Sequence, residues 1–334
     1  MSAGFETLSG LFACLDLRFV ERILAGCYKP EGSVGRPHRN LLGMFKAEVT
    51  KRFENIERYR ELDRLLRTDP VLRNLCEIKP WEKPYSRSTL SEFRQRVAPE
   101  KLERIASYLI KQLDEAGVLN GETLALDATF IEAYSQRDPK DNSRGLFDSE
   151  ARLRKQGRNV TLGYGVHLAI DTASEMPLTV IVEPANVNEK KIATPLLRRA
   201  VKRKKQRWKN LVADTQYSSQ TFRAEAQKHG VEPIIPYPKN QMKDKPVLRV
   251  DRKFRSHGPT RLKRLHKRRS AVERVTSRLK DHFKLRQLRT IGLRNAFTHV
   301  LLCIIAMLMN ALSAIKHGLP EKIRSPTFRW NIHA

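Results

Sequence analysis

Acidic residues are scarce in this chain of 334: 36 Asp and Glu stand against 64 Lys and Arg, a formal charge of +28. Such a chain repels itself unless it meets a polyanion. Nucleic acid is therefore the leading partner class and an anionic membrane surface the second; a small-molecule enzyme without a polyanionic substrate does not fit. Cysteine is scarce as well. Cys14, Cys27, Cys76 and Cys303 stand apart with no Cys-x-x-Cys pair, which argues against a zinc site or a disulfide framework and for reduced thiols acting as small hydrophobes. A secretion leader is not expected, because Glu6, Asp16 and Arg18 interrupt the apolar start. Long hydrophobic runs are missing too. Residues 300–309 form a strictly apolar run of ten, bounded by His299 and Asn310, which suits a buried helix and not a membrane span. No internal repeat is visible. What is present is 40% hydrophobic residues in periodic blocks, which speaks for a folded chain, and a length of about two domains at roughly 150 residues each.

The first 120 residues read as helices. Leu41, Leu42, Phe45, Glu48 and Val49 keep a helical period after the turn-forming Gly35-Arg36-Pro37, and Leu62, Leu65 and Leu66 continue it to Asp69-Pro70. Thr89-Leu90-Ser91-Glu92 has the form of a capping box opening a short basic helix with Phe93, Arg94 and Arg96. Pro99 starts a helix that carries Leu102, Ile105, Leu109 and Leu113 on one face and ends at Gly117. The pattern then changes. Residues 123–131 read as a strand covered on both faces, 135–162 as a polar loop, and 164–171 and 178–182 as two more strands joined by a hairpin turn. A helix over 188–205, a short strand over 210–213, a helix capped by Ser218 or Ser219, a strand over 231–235, a proline-containing loop over 236–260 and a long basic helix from about 262 to 284 follow, then the apolar carboxyl-terminal helix. The expected fold is α/β: a mixed five-stranded sheet flanked by helices, preceded by an all-α domain. Residues 1–117 form the helical domain, 118–318 the sheet domain with the last helices, and 319–334 a tail.

Three carboxylates carry the functional argument. Asp127 interrupts an otherwise apolar strand, so it needs a cation, a metal or strong hydrogen bonds. Asp214 follows the short apolar strand Leu211-Val212-Ala213, at the kind of strand end that lines a ligand crevice. Glu273 lies between Arg252 and Arg289, a stretch with fifteen Lys and Arg and only two acids. On a helix, His266, Arg269, Glu273 and Lys280 fall within about 60° of one another, and Leu265, Val272, Val275, Leu279 and Phe283 form an apolar stripe about 80° wide. Lys263, Arg264, Lys267, Arg268, Arg274 and Arg278 take the remaining face. The apolar stripe would fix the helix on the sheet and let Glu273 meet the two aspartates. Converging carboxylates raise one another's pKa unless a cation sits among them, and hard oxygen ligands without His or Cys favour Mg2+ or Mn2+. A pair of such ions is a standard means of in-line attack on a phosphodiester. Against this stand ordinary structural readings: a strand-end aspartate as a turn residue, as for Asp171 and Glu183, a Glu273–Arg269 helix pair, and the run Lys202-Arg203-Lys204-Lys205 as a solvated helix end.

With these residues in view, the chain resembles a prokaryotic insertion-sequence transposase of the DDE type. Four stretches carry the likeness: Leu-Ala-Leu-Asp127-Ala-Thr; Gly163-Tyr-Gly-Val-His-Leu-Ala-Ile-Asp171 with Pro184-Ala-Asn-Val-Asn188; Leu-Val-Ala-Asp214-Thr-Gln-Tyr217; and Arg269-Ser-Ala-Val-Glu273 followed by Lys280. Tyr59-Arg60-Glu61-Leu62 and Ser88-Thr-Leu-Ser-Glu-Phe-Arg94 resemble the helical amino-terminal region of such enzymes. The resemblance implies an RNase H-like catalytic domain with Asp127, Asp214 and Glu273 as catalytic metal ligands for two Mg2+ ions, replaceable by Mn2+. It implies double-stranded DNA as partner, both terminal inverted repeats and target, a homodimer or higher assembly on paired ends, no membrane, and a cytoplasmic, nucleoid-associated location. Arg269 and Lys280 map onto phosphate-holding positions, and His266, Tyr217, Arg274, Arg278, Lys267, Arg268 and Arg94 join them as candidate DNA contacts. Two departures stand out: His266 where the family usually has Tyr, and Gln216 before Tyr217 where Gly-Tyr is usual. The interval from Asp214 to Glu273 leaves little room for the large insertion of some relatives, so a DNA-hairpin step that uses one is not expected. The competing readings are a non-catalytic DNA-binding protein of the same fold and an RNase H-like structure-specific nuclease.

Overall fold

A computed structural model describes residues 2–29, 37–119, 121–157, 159–203, 208–237, 246–251 and 255–327. Gly35, Arg36, Lys204, Lys205, much of the 236–260 loop and the end of the tail lie outside those residues. The chain opens with the helices α1 (Ser2–Ala13), α2 (Arg18–Ala25), α3 (Leu41–Phe53), α4 (Tyr59–Thr68), α5 (Pro70–Leu75), α6 (Arg87–Arg96) and α7 (Pro99–Glu115). The strands β1 (Thr123–Glu132), β2 (Arg152–Gln156), β3 (Asn159–Asp171) and β4 (Met176–Pro184) follow, then α8 (Glu189–Val201), β5 (Asn210–Ala213), α9 (Gln220–Lys228) and β6 (Glu232–Ile234). A short ladder of β7 (Arg249–Val250) with β8 (Ser256–His257) leads to α10 (Thr260–His266), α11 (Ser270–Asp281) and α12 (Leu293–Lys316). Residues up to Gln112 together with those from Arg278 onward form one compact unit, and Leu113–Ser277 another.

Local chemistry sets the ends of the early helices. Asn40 accepts the Gly43 amide at 2.9 Å, and Asp69 accepts that of Leu72 at 2.9 Å with Pro70 just inside the helix. The cap of α6 is Ser86, not Thr89. Ser86 Oγ accepts the Thr89 amide at 3.2 Å, and Glu92 pairs with Arg96 one turn on and does not reach back. α12 groups with the helical unit, where it packs on α3 and α1, although the sequence division assigns it to the sheet domain. It is apolar all round, so it needs apolar neighbours on every side. It is long and apolar enough to cross a membrane by length and composition, and 94% of that stretch is buried in the protein.

The helical unit also buries charge. Glu48, Lys51, Arg52 and Arg94 are 0%, 3%, 4% and 6% exposed. Tyr59 donates its phenol to Glu48 at 2.5 Å, and the Lys51 ammonium lies 3.8 Å from the centre of the Tyr59 ring. Burial alone would raise the Glu48 pKa; the Lys51, Arg52 and Arg94 charges outweigh it, and the carboxyl ends below its usual value. Arg94 donates to Thr290 Oγ1 at 3.1 Å and to the Asn295 carbonyl at 3.0 Å. This placement makes it an internal tie and does not offer its guanidinium to DNA.

The second unit is built on one six-stranded mixed sheet. β6, β5 and β1 run parallel, β1 pairs antiparallel with β3, and the far edge of β3 is shared end to end by β4 and β2. α8 packs against β3 and β4, and α10 against β5 and β6. Two departures from the sequence reading have simple causes. β2 and the start of β3 lie inside the stretch read as a loop, because this polar edge hairpin, turned at Gly157 with φ of 62°, lacks apolar alternation. The helix read over 262–284 is broken by a 3-10 turn at Lys267–Arg269, which tightens the backbone and re-aims the side chains between α10 and α11. Val272, Val275 and Leu279 are buried as the apolar stripe requires, whereas Leu265 is half-buried.

Replacing Glu48 by Gln strands three buried cations without a counter-charge. The E48Q protein should lose about 3 kcal/mol of stability, read as a lowered denaturant midpoint; an unchanged midpoint would mean that the cations balance without Glu48.

Candidate active site

β1 and β5 are the adjacent parallel strands that set the site. Leu126 pairs with Ala213 as their last partnered position. Asp127 follows on β1 and Asp214 is the first residue beyond β5, and the two carboxylates are close enough for Asp214 to raise the Asp127 pKa. Asp214 opens the 3-10 turn Thr215–Tyr217, its Oδ1 accepting the Thr215 amide at 2.6 Å and the Thr215 hydroxyl at 3.0 Å. Asp127 Oδ1 accepts the Ala128 amide at 2.8 Å, and Oδ2 takes Arg269 Nη1 at 2.8 Å. The other arm of the same guanidinium, Nη2, reaches Glu273 Oε1 at 2.6 Å, one turn along α11. Arg269 thus joins the first and third acids, and Asp214 is the strand neighbour of the first.

Arg269 is aimed by the broken helix. Arg268 Nη1 donates to Thr123 Oγ1 at 3.1 Å, which pins the 3-10 turn at the start of β1. His266, just before that turn, is half-buried near the Ala213 backbone, with its Nε2 buried and without a partner among the described residues. Burial pulls the His266 pKa down, Arg269 adds to this, and the Ala213 backbone and Asp214 oppose it. Burial likewise raises the Asp127 pKa; Arg269 and the Ala128 amide pull it back, and Asp214 and Glu273 push it up again. The two other acids are therefore close enough to be felt by Asp127. Side-chain exposure is 24% for Asp127, 26% for Arg269 and 56% for Glu273.

A fourth carboxylate belongs to the same neighbourhood. Glu189 starts α8 behind the cap Asn188, and its pKa is raised by burial and then by Asp127 and Asp214, with Arg154 opposing. The Gln216 amide, oriented to donate, reaches Glu189 Oε1 at 2.9 Å. The sequence block Pro184-Ala-Asn-Val-Asn188 stops one residue short of it. Its only local signal is a first-turn acid, an ordinary helix-start feature; the tertiary path of α8 brings it to the aspartates.

The remaining candidates divide by placement. Lys267 and Arg268 are exposed. Arg274 is 55% exposed but held by Glu175 at 2.6 Å, and Arg278 donates to the Arg324 carbonyl at 3.2 Å. Lys280 is half-buried two turns beyond Glu273 on α11. Tyr217 is wholly buried, its phenol 3.5 Å from His167 Nδ1 and near enough to Glu189, Asp127 and Asp214 for their charge to raise its pKa, and it has no surface to offer DNA. His167 is 2% exposed, and burial brings its pKa down to about 4, so the ring is neutral at pH 7.

Residues 120–309 match the family of the transposase DDE domain. The chain belongs to that family. Residues 6–96 match a second transposase domain, DUF772. Among solved structures, the chain is similar to the piggyBac transposase synaptic complex with hairpin DNA, at 10% identity over 94% of this chain and 75% of that one, with a TM-score of 0.49. It is also similar to a Mos1 transposase paired-end complex with the left transposon end, at 11% identity over 94% of this chain and 86% of that one, TM-score 0.24. The family match continues through most of α12, although by packing that helix belongs to the helical unit.

Whether the acids suit a divalent cation can be judged from their own chemistry. The donors are carboxylate oxygens only, Asp127 and Asp214 are neighbours, and the Asp127 and Glu189 pKa values are raised by burial first and by neighbouring carboxylates after it. Among the described residues no three such side chains converge as a finished cage, and the Arg269 guanidinium takes the position between Asp127 and Glu273. The donor set fits a hard divalent cation, with Arg269 as the counter-charge of the arrangement seen.

Arg269→Gln keeps the reach of the side chain and removes that charge. Without divalent ions the variant should unfold with a free energy lower by about 1–2 kcal/mol. Added Mg2+ should recover more stability in the variant than in the parent. Equal melting of both proteins with and without Mg2+ would refute Arg269 as the counter-charge.

Proposed function

We propose that the protein is the transposase of an insertion sequence, which binds the terminal inverted repeats of its element, cuts DNA there and joins the freed end to a target. The observation that carries this reading is the placement of Asp127 and Asp214 just beyond the last pair of the parallel β1–β5 ladder, with Glu273 tied to Asp127 through Arg269. The reaction class follows from the family together with the charge of +28. Water replaces the 3′ oxygen at a phosphorus of the element end, and the released 3′-hydroxyl then replaces the 3′ oxygen at a target phosphodiester.

Asp127, Asp214 and Glu273 would hold two divalent ions, Mg2+ or Mn2+, with Glu189 beside them. When bound, such ions supply the positive charge that in-line attack on a phosphodiester needs at the attacking and leaving oxygens. The protein's own groups do the rest. Arg269 orients Asp127 and Glu273 relative to one another. Lys267 and Arg268, exposed on the turn that carries Arg269, and Lys280 further along α11, hold the DNA backbone. The buried pair of Tyr217 and neutral His167 lies near the aspartates and keeps bulk water from that side. A homodimer or larger assembly brings two ends together.

Asp127→Asn, Asp214→Asn and Glu273→Gln should each abolish Mg2+-dependent nicking of DNA carrying the element's ends while leaving binding nearly intact. Cleavage at the parental rate by any of them would remove that residue from the site. Joined products from the parent separate a transposase from a nuclease that only cuts. Lys267→Ala should lower the slope of log affinity against log salt by about one unit; an unaltered slope would mean that Lys267 touches no phosphate.

A further inference from the structure

The large apolar side chains that stand exposed among the described residues are Trp81, Tyr108, Tyr134, Leu146, Phe147 and Ile291. Three of the six lie in one loop of the sheet unit, between β1 and β2. Phe147 is 66% exposed, Tyr134 52% and Leu146 43%. Exposure here does not come from a loose loop. The Leu146 amide donates to the Gln136 carbonyl at 2.8 Å, the Phe147 amide to Ser135 Oγ at 3.0 Å, and the Asp138 amide to the Arg144 carbonyl at 3.0 Å, so the two limbs form a ladder. Directly after Phe147, the wholly buried Asp148 accepts the Tyr164 phenol at 2.7 Å and the Ala151 amide at 3.2 Å. A carboxylate anchor and a ladder thus hold three apolar side chains out into water, at a cost that a monomer in solution has no reason to bear.

The position of the loop says what meets it. β1 runs from Asp127 toward Tyr134, on the carboxyl-end side of the parallel strands where Asp214 also lies. Seven residues of extended chain span at most about 23 Å, or about seven base-pair steps of duplex. Arg154, on the strand that follows the loop, lies 5.9 Å from the ring centre of Phe130, three residues beyond Asp127 on β1. Arg137, Arg144 and Arg152 stand on or beside the loop.

We propose that Tyr134, Leu146 and Phe147 form an apolar wedge that stacks on and parts the bases of the DNA held at the carboxylates, within about seven base pairs of the scissile phosphate. Every base offers an apolar face, so the wedge tolerates any sequence and acts on the shape of the DNA. The proposal rests on the DNA-cutting reading of the site.

The test uses the full chain and a pre-nicked duplex with 2-aminopurine at successive positions beside the nick. The parent should raise the fluorescence at one or two steps. Phe147→Ala and Tyr134→Ala should abolish that rise and weaken binding about tenfold at every salt concentration, with parallel salt slopes, because stacking releases no counterions. Both positions are exposed, so the variants should melt with the parent. Parental binding and nicking with silent 2-aminopurine would overturn the wedge and leave the cutting reading standing. Loss of self-association in the variants without loss of fluorescence would assign the patch to a second copy of the chain. A parent that binds no DNA would overturn both readings.

Discussion

The contact between Asp127 and Arg269 is the constraint around which the sheet unit is arranged. A carboxylate on a central strand cannot be left ionised in an apolar sheet, so something must bring a cation to it. The chain does this with a guanidinium from a segment some 140 residues away in sequence, Arg269 meeting Asp127 at 2.8 Å. An uninterrupted helix from 262 onward would keep the regular 100° step. The 3-10 turn at Lys267–Arg269 breaks it, and Arg268 fastens the turn to Thr123. Glu273 then follows without further provision, because it lies one helical turn from Arg269 and shares its guanidinium.

Elements with a strong local pattern were legible in the sequence. β5 spans Asn210–Ala213 around its apolar run Leu211-Val212-Ala213, and Ser219 caps α9 through the Phe222 amide at 3.2 Å. The hairpin between β3 and β4 turns where Asp171 can accept the Ala173 and Ser174 amides. What could not be read was tertiary. β2 is an edge strand whose residues answer to one neighbour only, so its pattern is that of a loop. Glu189 has an ordinary composition for a helix start and gains meaning only from where α8 begins in space. Tyr217 and Arg94 have residue types common at DNA surfaces, and only coordinates reveal that one is buried near the carboxylates and the other inside the helical unit.

Net charge is accordingly a poor count of the groups available to DNA. Much of the excess of Lys and Arg is committed inside the protein: Arg52 and Lys51 beside Glu48, Arg94 on backbone and hydroxyl acceptors, Arg274 on Glu175, Arg223 on the Ile235 carbonyl. Arginine suits these internal duties because its planar fork meets two acceptors at once without giving up its proton. Lys267 at the 3-10 turn differs in kind. It stands exposed two residues before the arginine that holds the carboxylates, so a phosphate bound by it would lie beside the acids and not on a remote patch.

A single arginine serves two carboxylates at once. A guanidinium has five N–H donors. Two of Arg269's are directed at Asp127 and Glu273, one from each terminal nitrogen. Those bonds fix the plane of the group, because the guanidinium cannot turn without losing one of the two acids. A lysine in this position would meet the two acids from one point charge, without the fixed fork that sets their relative orientation. The planarity of the side chain, and not its charge alone, is what lets a strand aspartate and a helix glutamate share a single residue.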